Sequence, residues 1–554
     1  MASSDELVFL PLGGSNEIGM NMNLYGFGPE EDRQWIMVDC GVTFGDETTP
    51  GVDLICADPD YIVSEKADIL ALILTHAHED HIGAVALLWP QFRCPVYATA
   101  FTAAMVRRKF EEAGVPNPPL HVVELGARLT FGPFDIEYVT LTHSIPEPNG
   151  LAIRTPLGLV FHTGDWKIDP NPTLGEETDV KRLTELGEEG VLAMVCDSTN
   201  VFSAGEAGSE LAVRDSLTDL IGAQKGRVAV TTFASNLARV LSVCKAAACY
   251  DRSVCLLGRS MLRVVEIARD VGLLPKDARF IGPEDAGYLP KDKVLYLCTG
   301  SQGEPRAALS RIARDDHRDL ALSEGDTVIF SSRIIPGNER SIFNLQNQLV
   351  ELGVKVITEK DHFIHVSGHP CRDELKRMYG WVRPKISVPV HGETRHINEH
   401  AAYALELGVP DVIEPANGTM IRLAPDGPEI IDEVPAGRLF LDGRVLTPEG
   451  DAAMRMRKRL AYGGCVALAV VLDEKNRLAT PVSAELLGLP AALDQDGGRL
   501  TVLIEEEVEA ALDRARRKDL DDASADMIAR RAARGVVARA WGKKPEALVS
   551  IVRI

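Results

Sequence analysis

Between Leu7 and Asn200, short apolar runs alternate with glycine-rich turns, and few stretches keep a helical spacing for long. The first run, Leu7-Val8-Phe9-Leu10, is stopped by Pro11 and the Gly13-Gly14 pair. Others follow at Gln34–Asp39, Ile69–Leu74, Val96–Ala98, Ile136–Thr140, Leu151–Arg154, Leu159–His162 and Val191–Val195. Many short strands with few long helices predict a sandwich of sheets flanked by helices. Ile69–Leu74 is apolar throughout, as expected of a strand buried on both faces, and Ile82–Trp89 has the texture of a buried helix. The polar residues between them therefore occupy a strand-to-helix loop, where α/β proteins place their sites.

From Ser209 to Gly368 the texture changes. Strands are expected at Gly226–Thr232, Ser253–Leu257, Val294–Cys298 and Thr327–Ser331, with helical apolar spacing between them, for example over Leu237–Ala248. This predicts a doubly wound parallel α/β unit inserted into the first domain. The expected division is 1–208 for the first part of the sandwich domain, 209–368 for the insert and 369–435 for the second part. A polar linker follows at 436–460, then a small α+β C-terminal domain at 461–554. That last domain should hold strands at Val466–Val471 and Ala547–Val552 with two charged helices between them. At 554 residues a division into several domains is required, since single cores stop growing at roughly 250–300 residues.

Composition, with 45% hydrophobic and 25% charged residues, is that of an ordinary globular protein. The N-terminal Met1–Glu6 lacks the basic and apolar regions of a secretory signal, and no apolar run is long enough for a membrane span, so a cytoplasmic protein without membrane partners is expected. The ten cysteines are scattered with no Cys-x-x-Cys pair, which favours reduced core thiols and leaves His and Asp as the metal donors. A formal charge of −22 argues against a polyanionic partner only weakly. Arg107-Arg108-Lys109, Arg306 with Arg311 and Arg314, and Arg333 with Arg340 can still build a positive groove on a negative body.

The chemistry is concentrated in the loop Thr75-His76-Ala77-His78-Glu79-Asp80-His81. It sets three imidazoles and Asp80 within six residues, in a chain with only 13 His. Alternate histidines project to one side of an extended segment while Asp80 and His81 follow the turn, so one loop can serve two adjacent metal positions. Three other strand ends repeat the theme: Thr142-His143-Ser144, His162-Thr163-Gly164-Asp165 and Val390-His391-Gly392.

The assembled set resembles the metallo-β-lactamase superfamily, whose His-x-His-x-Asp-His signature stands at positions 76 to 81. The resemblance implies an αββα sandwich and two metal ions, Zn²⁺ with Mn²⁺ as the alternative. His76, His78 and His143 would hold one ion, Asp80, His81 and His391 the other, and Asp165 would bridge them. Such ions, about 3.5 to 4 Å apart, share a hydroxide that attacks a phosphodiester. The insert resembles a β-CASP domain, the mark of the nuclease branch. That resemblance maps the branch's motif residues onto Asp197, His369 and His391, and the His at position 391 goes with RNA substrates. Gly13–Asn21, Thr232–Asn236, Thr299–Pro305, Ile335–Glu339 and Pro389–Glu393 resemble the ribonuclease J family in particular.

That likeness implies a 5′ to 3′ exonuclease with added endonuclease activity, acting on single-stranded RNA with a 5′-monophosphate in RNA maturation and decay. Asp80 and the metals would serve the attack, while His369, oriented by Asp197, would protonate the departing 3′ oxygen. Phe233, Ala234, Ser235 and Asn236, with His365, Val366, Ser367, Gly368 and His369, would form the monophosphate pocket. Ser235 and Asn236 equally suit the N-terminal cap of the helix that starts at Leu237. The tail cations Arg514, Arg516, Arg517, Lys518, Arg530, Arg531 and Arg534 suit RNA or another subunit. The likeness favours a homodimer or homotetramer and membership of an RNA-degradation complex. The alternatives are an endonuclease of the RNA 3′-end-processing type and a small-molecule metallo-hydrolase.

Overall fold

The computed structural model describes residues 4–64, 68–276, 278–494, 499–515 and 520–554. Two compact units emerge, Met1–Thr43 with Leu54–Leu439, and Phe44–Asp53 with Phe440–Ile554. In the first unit, two sheets face each other. One has eight strands and runs from Glu429–Glu433 through Glu6–Gly13, Gln34–Val38 and Asp68–Ile73 to Leu120–Val123. The other has seven, running from Arg128–Phe131 through Gly158–His162, Val191–Asp197 and Ile386–Val390 to Asp411–Val412. Leu7, Phe9, Ile36, Val38 and Ile73 of the first interdigitate with Phe134, Ile136, Leu151, Val160, Val195 and Val388 of the second in one core. The outer side of the seven-stranded sheet is covered by helices Val180–Glu189, Arg372–Val382 and Thr394–Glu406, which bury Leu183, Leu186, Leu375, Met378 and Ala404 against Met194 and Cys196. These are the flanked sheets that the apolar runs predict.

The insert is a five-stranded parallel sheet in the order Ser253–Leu257, Val294–Cys298, Val228–Thr231, Thr327–Phe330 and Lys355–Ile357. Crossover helices such as Leu237–Cys249 and Glu339–Glu351 connect its strands, as parallel pairing demands. The chain leaves the seven-stranded sheet at Asp197 and returns at Ile386 in the adjacent strand. Ala193 pairs with Ile386 and Asp197 with Val390, all in parallel register. Two neighbouring strands thus frame the whole insert, and their ends lie side by side.

The polar linker expected at 436–460 is not one. Arg438–Asp442 and Val445–Pro448 are strands and Ala452–Gly463 is a helix. The second unit begins near Phe440 and takes in Phe44–Asp53, where Asp53 N–H donates to Leu441 O at 3.0 Å and Arg457 to Pro50 O at 3.2 Å. The apolar runs in these strands, Leu439-Phe440-Leu441 and Val445-Leu446, are too short for pattern alone to reveal them. The same holds for Ser483–Leu487, which pairs with Cys465–Leu472. Arg516, Arg517 and Lys518 lie outside the described residues.

One buried ion pair secures the insert. Arg239 is fully buried; its Nε and Nη2 donate to the two carboxylate oxygens of Glu210 at 3.0 and 2.9 Å, and its Nη1 to Ser331 O and Oγ and to Ile364 O. A single guanidinium therefore ties the insert's first helix, the strand ending at Phe330 and the backbone entering His365–His369. Arg239→Met should lower stability by about 3–5 kcal/mol in denaturant unfolding, because it strands a buried carboxylate. Adding Glu210→Gln should recover part of the loss.

Candidate metal centre and catalytic site

Each singled-out donor stands where a strand of the sandwich runs out. His76, His78, Asp80 and His81 follow Asp68–Ile73, His143 follows Phe134–Thr140, Asp165 follows Gly158–His162, and His391 follows Ile386–Val390. They converge into two groups whose donor atoms lie within 4.8 Å of one another: His76, His78, His143 and Asp165, and Asp80, His81, Asp165 and His391. Asp165 belongs to both. Its Oδ2 lies 3.8 Å from His76 Nε2, 3.8 Å from His143 Nε2, 3.2 Å from His81 Nε2 and 3.5 Å from His391 Nε2.

The rings are aimed from behind. Asp39 accepts from His81 Nδ1 at 2.7 Å and from the Thr75 amide and hydroxyl at 2.8 Å each, and the Thr75 hydroxyl oxygen lies 2.9 Å from His76 Nδ1. His391 Nδ1 is held by Asn21 Oδ1 at 3.1 Å, and His143 Nδ1 by Gly368 O at 2.5 Å. With each Nδ1–H engaged, the Nε2 lone pairs of these four rings are left for the centre. His78 instead presents Nδ1, 3.2 Å from His76 Nε2 and 3.0 Å from His143 Nε2. Asp39, Thr75 and Asn21 carry no role in the sequence reading. The available signal was the charge on Asp39 directly after the apolar run Ile36-Met37-Val38, beside the strand that delivers His76.

Backbone geometry sets how tightly the pieces close. Gly41 packs on the Asp80 peptide, where an added Cβ would lie 1.7 Å from Asp80 O. At Gly368 a Cβ would meet His143 Cε1 at 2.7 Å and Ser144 Oγ at 2.8 Å. His391 adopts φ 53°, a left-handed conformation costly for a non-glycine residue, and is fixed there by donation from its N–H to Gly14 O at 2.6 Å and from Thr199 Oγ1 to its O at 3.1 Å.

Burial, and then neighbouring imidazoles, push His76 and His143 well below the ordinary histidine range; burial takes His78 down to about 4. Neutral rings of this kind are lone-pair donors. Burial opposes charge on His81 and on Asp165 as well. It is overcome at His81 by Asp165, Asp80 and Asp39, which raise its pKa, and at Asp165 by His391 and His81, which lower it. His391 Nε2 is buried without a hydrogen-bond partner, 3.6 Å from Asp80 Oδ2 and 3.5 Å from Asp165 Oδ2. A buried orphan nitrogen facing two carboxylates fits a cation between them, and imidazole with carboxylate is a donor set suited to Zn²⁺ or Mn²⁺.

Beside this pair stands a second device. His369 Nδ1 donates to Asp197 Oδ2 at 2.8 Å and lies 3.9 Å from Asp165 Oδ2. Burial would discharge its ring, but Asp197 outweighs that and raises the pKa to about 9. Asn200, unremarked in the sequence, donates to Ser367 Oγ at 2.6 Å and His369 O at 3.0 Å, fixing the segment from the sandwich side.

The expected phosphate-binding residues fall on two arms. Phe233, Ala234 and Ser235 line a half-buried turn after Val228–Thr231, and Asn236 caps the next helix, its Oδ1 accepting from Arg239 N at 2.9 Å. Val366 and Gly368 are buried, while His365, Ser367 and His369 are half-buried. Among the described residues no hydrogen bond joins the arms directly; Arg239 connects them through Ile364 O. Burial and then the charges of Arg239, Arg333 and Lys167 hold His365 well below the ordinary histidine range, and its Nδ1 has no partner. Of the cationic clusters, Lys109 pairs with Glu79, Arg108 with Glu111 and Arg311 with Asp316. Arg306, Arg333 and Arg340 make no ion pair among the described residues.

Comparison with known proteins follows the same division. Four family models match in succession: the metallo-beta-lactamase superfamily over residues 30–177, the ribonuclease J beta-CASP domain over 225–349, the Zn-dependent metallo-hydrolase RNA specificity domain over 353–415 and the ribonuclease J C-terminal domain over 452–554. A ribonuclease J of Sinorhizobium meliloti is 48% identical over 559 residues, covering 100% of this chain and 98% of that protein. One of Mycobacterium tuberculosis (strain ATCC 25618 / H37Rv) is 39% identical, covering 83% and 82%, and one of Thermus thermophilus is 36% identical, covering 85% and 83%. A solved protein of unknown function from Enterococcus faecalis V583 superposes with a TM-score of 0.52 at 14% identity, over 75% of this chain and 100% of that one, a likeness of fold. The metallo-β-lactamase sandwich with an inserted β-CASP domain and a C-terminal domain, expected from the sequence, is the fold these matches describe.

Two outcomes check how the centre is built. Asp39→Asn should weaken metal retention about 10- to 100-fold, measured by competition with a chelator, because His81 loses its acceptor and its tautomer. Gly41→Ala has no room and should lower both the melting temperature and bound metal; normal metal content would show that the Asp80 loop is not held as described.

Proposed function

Since the chain belongs to the ribonuclease J family, we propose that it degrades single-stranded RNA by metal-dependent hydrolysis of phosphodiesters, working 5′ to 3′ from monophosphorylated ends and also cutting internally. The observation that carries this reading is the pair of four-donor groups sharing Asp165 with the His369–Asp197 couple alongside. His76, His78, His143 and Asp165 would hold one ion, and Asp80, His81, His391 and Asp165 the other. Two zinc or manganese ions there would supply a water activated near neutral pH and neutralise charge on the phosphodiester oxygens.

The protein's own groups do the rest. Asp197 keeps the proton on His369 Nδ1, so Nε2 is the nitrogen that faces substrate. The raised pKa keeps that nitrogen protonated at neutral pH, and it hands its proton to the departing 3′ oxygen. Asn200 and Ser367 hold the His369 backbone in place while this happens. The 5′-monophosphate is received between the two arms joined by Arg239. The start of helix Leu237–Cys249 and the exposed Arg333 near His365, without an ion pair among the described residues, favour a dianion.

His369→Ala should reduce turnover by roughly 10²- to 10⁴-fold while metal content stays normal; full activity would remove it as the acid. With 5′-hydroxyl, monophosphate and triphosphate RNAs, the monophosphate should be degraded fastest and release mononucleotides. Equal rates would sink the pocket, and internal fragments alone would favour an endonuclease of the 3′-end-processing type.

A further inference from the structure

Of the tail arginines singled out in the sequence, Arg514 pairs with Glu507 and Arg530 with Asp526, while Arg531 and Arg534 make no ion pair among the described residues. A denser group of positive charge in the second unit lies elsewhere. Helix Ala452–Gly463 carries Arg455, Arg457, Lys458 and Arg459 with no acidic residue, and the stretch 539–545 carries Arg539, Lys543 and Lys544, again with none. The helix end and this stretch are fastened together, since Glu546 N–H donates to Gly464 O at 3.0 Å and an added Cβ on Gly463 would lie 2.9 Å from Lys544 O. Arg457 is committed to Asp442, and Arg459 lies 3.7 Å from Glu546; Arg455, Lys458, Arg539, Lys543 and Lys544 make no ion pair among the described residues.

Aromatic surface accompanies these charges. Tyr462 is 69% exposed, unusual for a large ring at the end of a helix. The Lys543 ammonium sits 4.2 Å from its ring centre and 5.0 Å from that of Trp541, and donates to Tyr462 O at 3.2 Å. Arg455, Arg459 and Tyr462 fall at i, i+4 and i+7 with Lys458 at i+3, so cations and ring share one stripe of the helix.

The geometry points to a second contact for single-stranded RNA on the C-terminal unit, in which Tyr462 stacks on a base and Lys458, Lys543 and Lys544 meet the phosphates. In a chain of net charge −22, two acid-free segments carrying seven cations between them are a local reversal of sign. Cations interleaved with an exposed ring are what a sequence-indifferent strand requires: charge for the backbone and a π-face for any base. Holding the strand at a second point raises its effective concentration at the catalytic unit between cleavage events.

The test uses the full chain in a His78→Ala background, which keeps RNA intact during binding measurements. A Lys458→Glu/Lys544→Glu variant should bind a long unstructured RNA with a salt slope reduced by about 1.4, and Tyr462→Ala should bind it roughly five- to tenfold more weakly. Tyr462→Phe keeps the ring and should bind as the parent does. In the otherwise native enzyme, the same changes should leave turnover of an oligonucleotide just long enough to fill the catalytic cleft unchanged. That arm also separates this proposal from the RNase reading, which fails only if the native enzyme does not cleave the short substrate. Unchanged long-RNA binding and salt slope would overturn the second contact, and so would equal losses in Tyr462→Ala and Tyr462→Phe. An equal fall in turnover of short and long substrates would place the effect in the catalytic unit. Lost binding that tracks a fall in assembly mass by analytical ultracentrifugation would make the stripe a contact between copies of the chain.

Discussion

One carboxylate oxygen organises the catalytic unit. Five imidazoles crowd within 4 Å of Asp165 Oδ2 in a space almost closed to water, and only a negative charge at their focus makes that gathering tolerable. The rings cannot relax away, because Asp39, Thr75, Asn21 and Gly368 hold them from the far side. The centre is therefore preorganised by ordinary hydrogen bonds, with the reactive nitrogens directed inward and the tautomers fixed by what lies behind them.

The outer supports and the inner donors differ in how readable they are. The donors at 76–81 announce themselves, since no structural purpose calls for such a density of imidazole. His143, Asp165 and His391 are legible because each terminates an apolar run. Asp39, Asn21 and Thr75 are ordinary polar residues whose importance comes from where strand pairing puts them, and a linear pattern carries no distances across a sheet. The sandwich and the insert were visible for the same reason as the donors: buried strands leave runs that any reading of apolar periodicity picks up. Residues 438–448 hold only the brief runs Leu439-Phe440-Leu441 and Val445-Leu446, too short to mark strands, and the stretch expected as a linker belongs from Phe440 to the second unit. In the tail, charge alone does not tell paired from unpaired cations: Arg514 and Arg530 meet neighbouring carboxylates, while Arg531, Arg534, Lys458 and Lys544 make no ion pair among the described residues.

Asn236 illustrates how two roles can occupy one residue. Its side-chain oxygen caps the helix, and the side chain, itself buried, also bonds the Glu210 carboxylate. Arg239, one turn on, then relates that helix start to Ile364 and thus to the segment bearing His369. The fastening of the insert and the placing of the segment that bears His369 are in this way set by the same guanidinium.

The framing of the insert by two adjacent strands also imposes an order in time. His76 to His81, His143 and Asp165 all precede the insert in the chain, whereas His369 and His391 follow most or all of it. A ribosome has to finish the entire insert before the last donor emerges, and Ile386–Val390 has to find its place beside Val191–Asp197 before His391 can face Asp165. A nascent or truncated chain ending before that strand holds a half-built centre, so an enzyme whose substrates surround its own synthesis becomes complete only when its long-range pairing has closed.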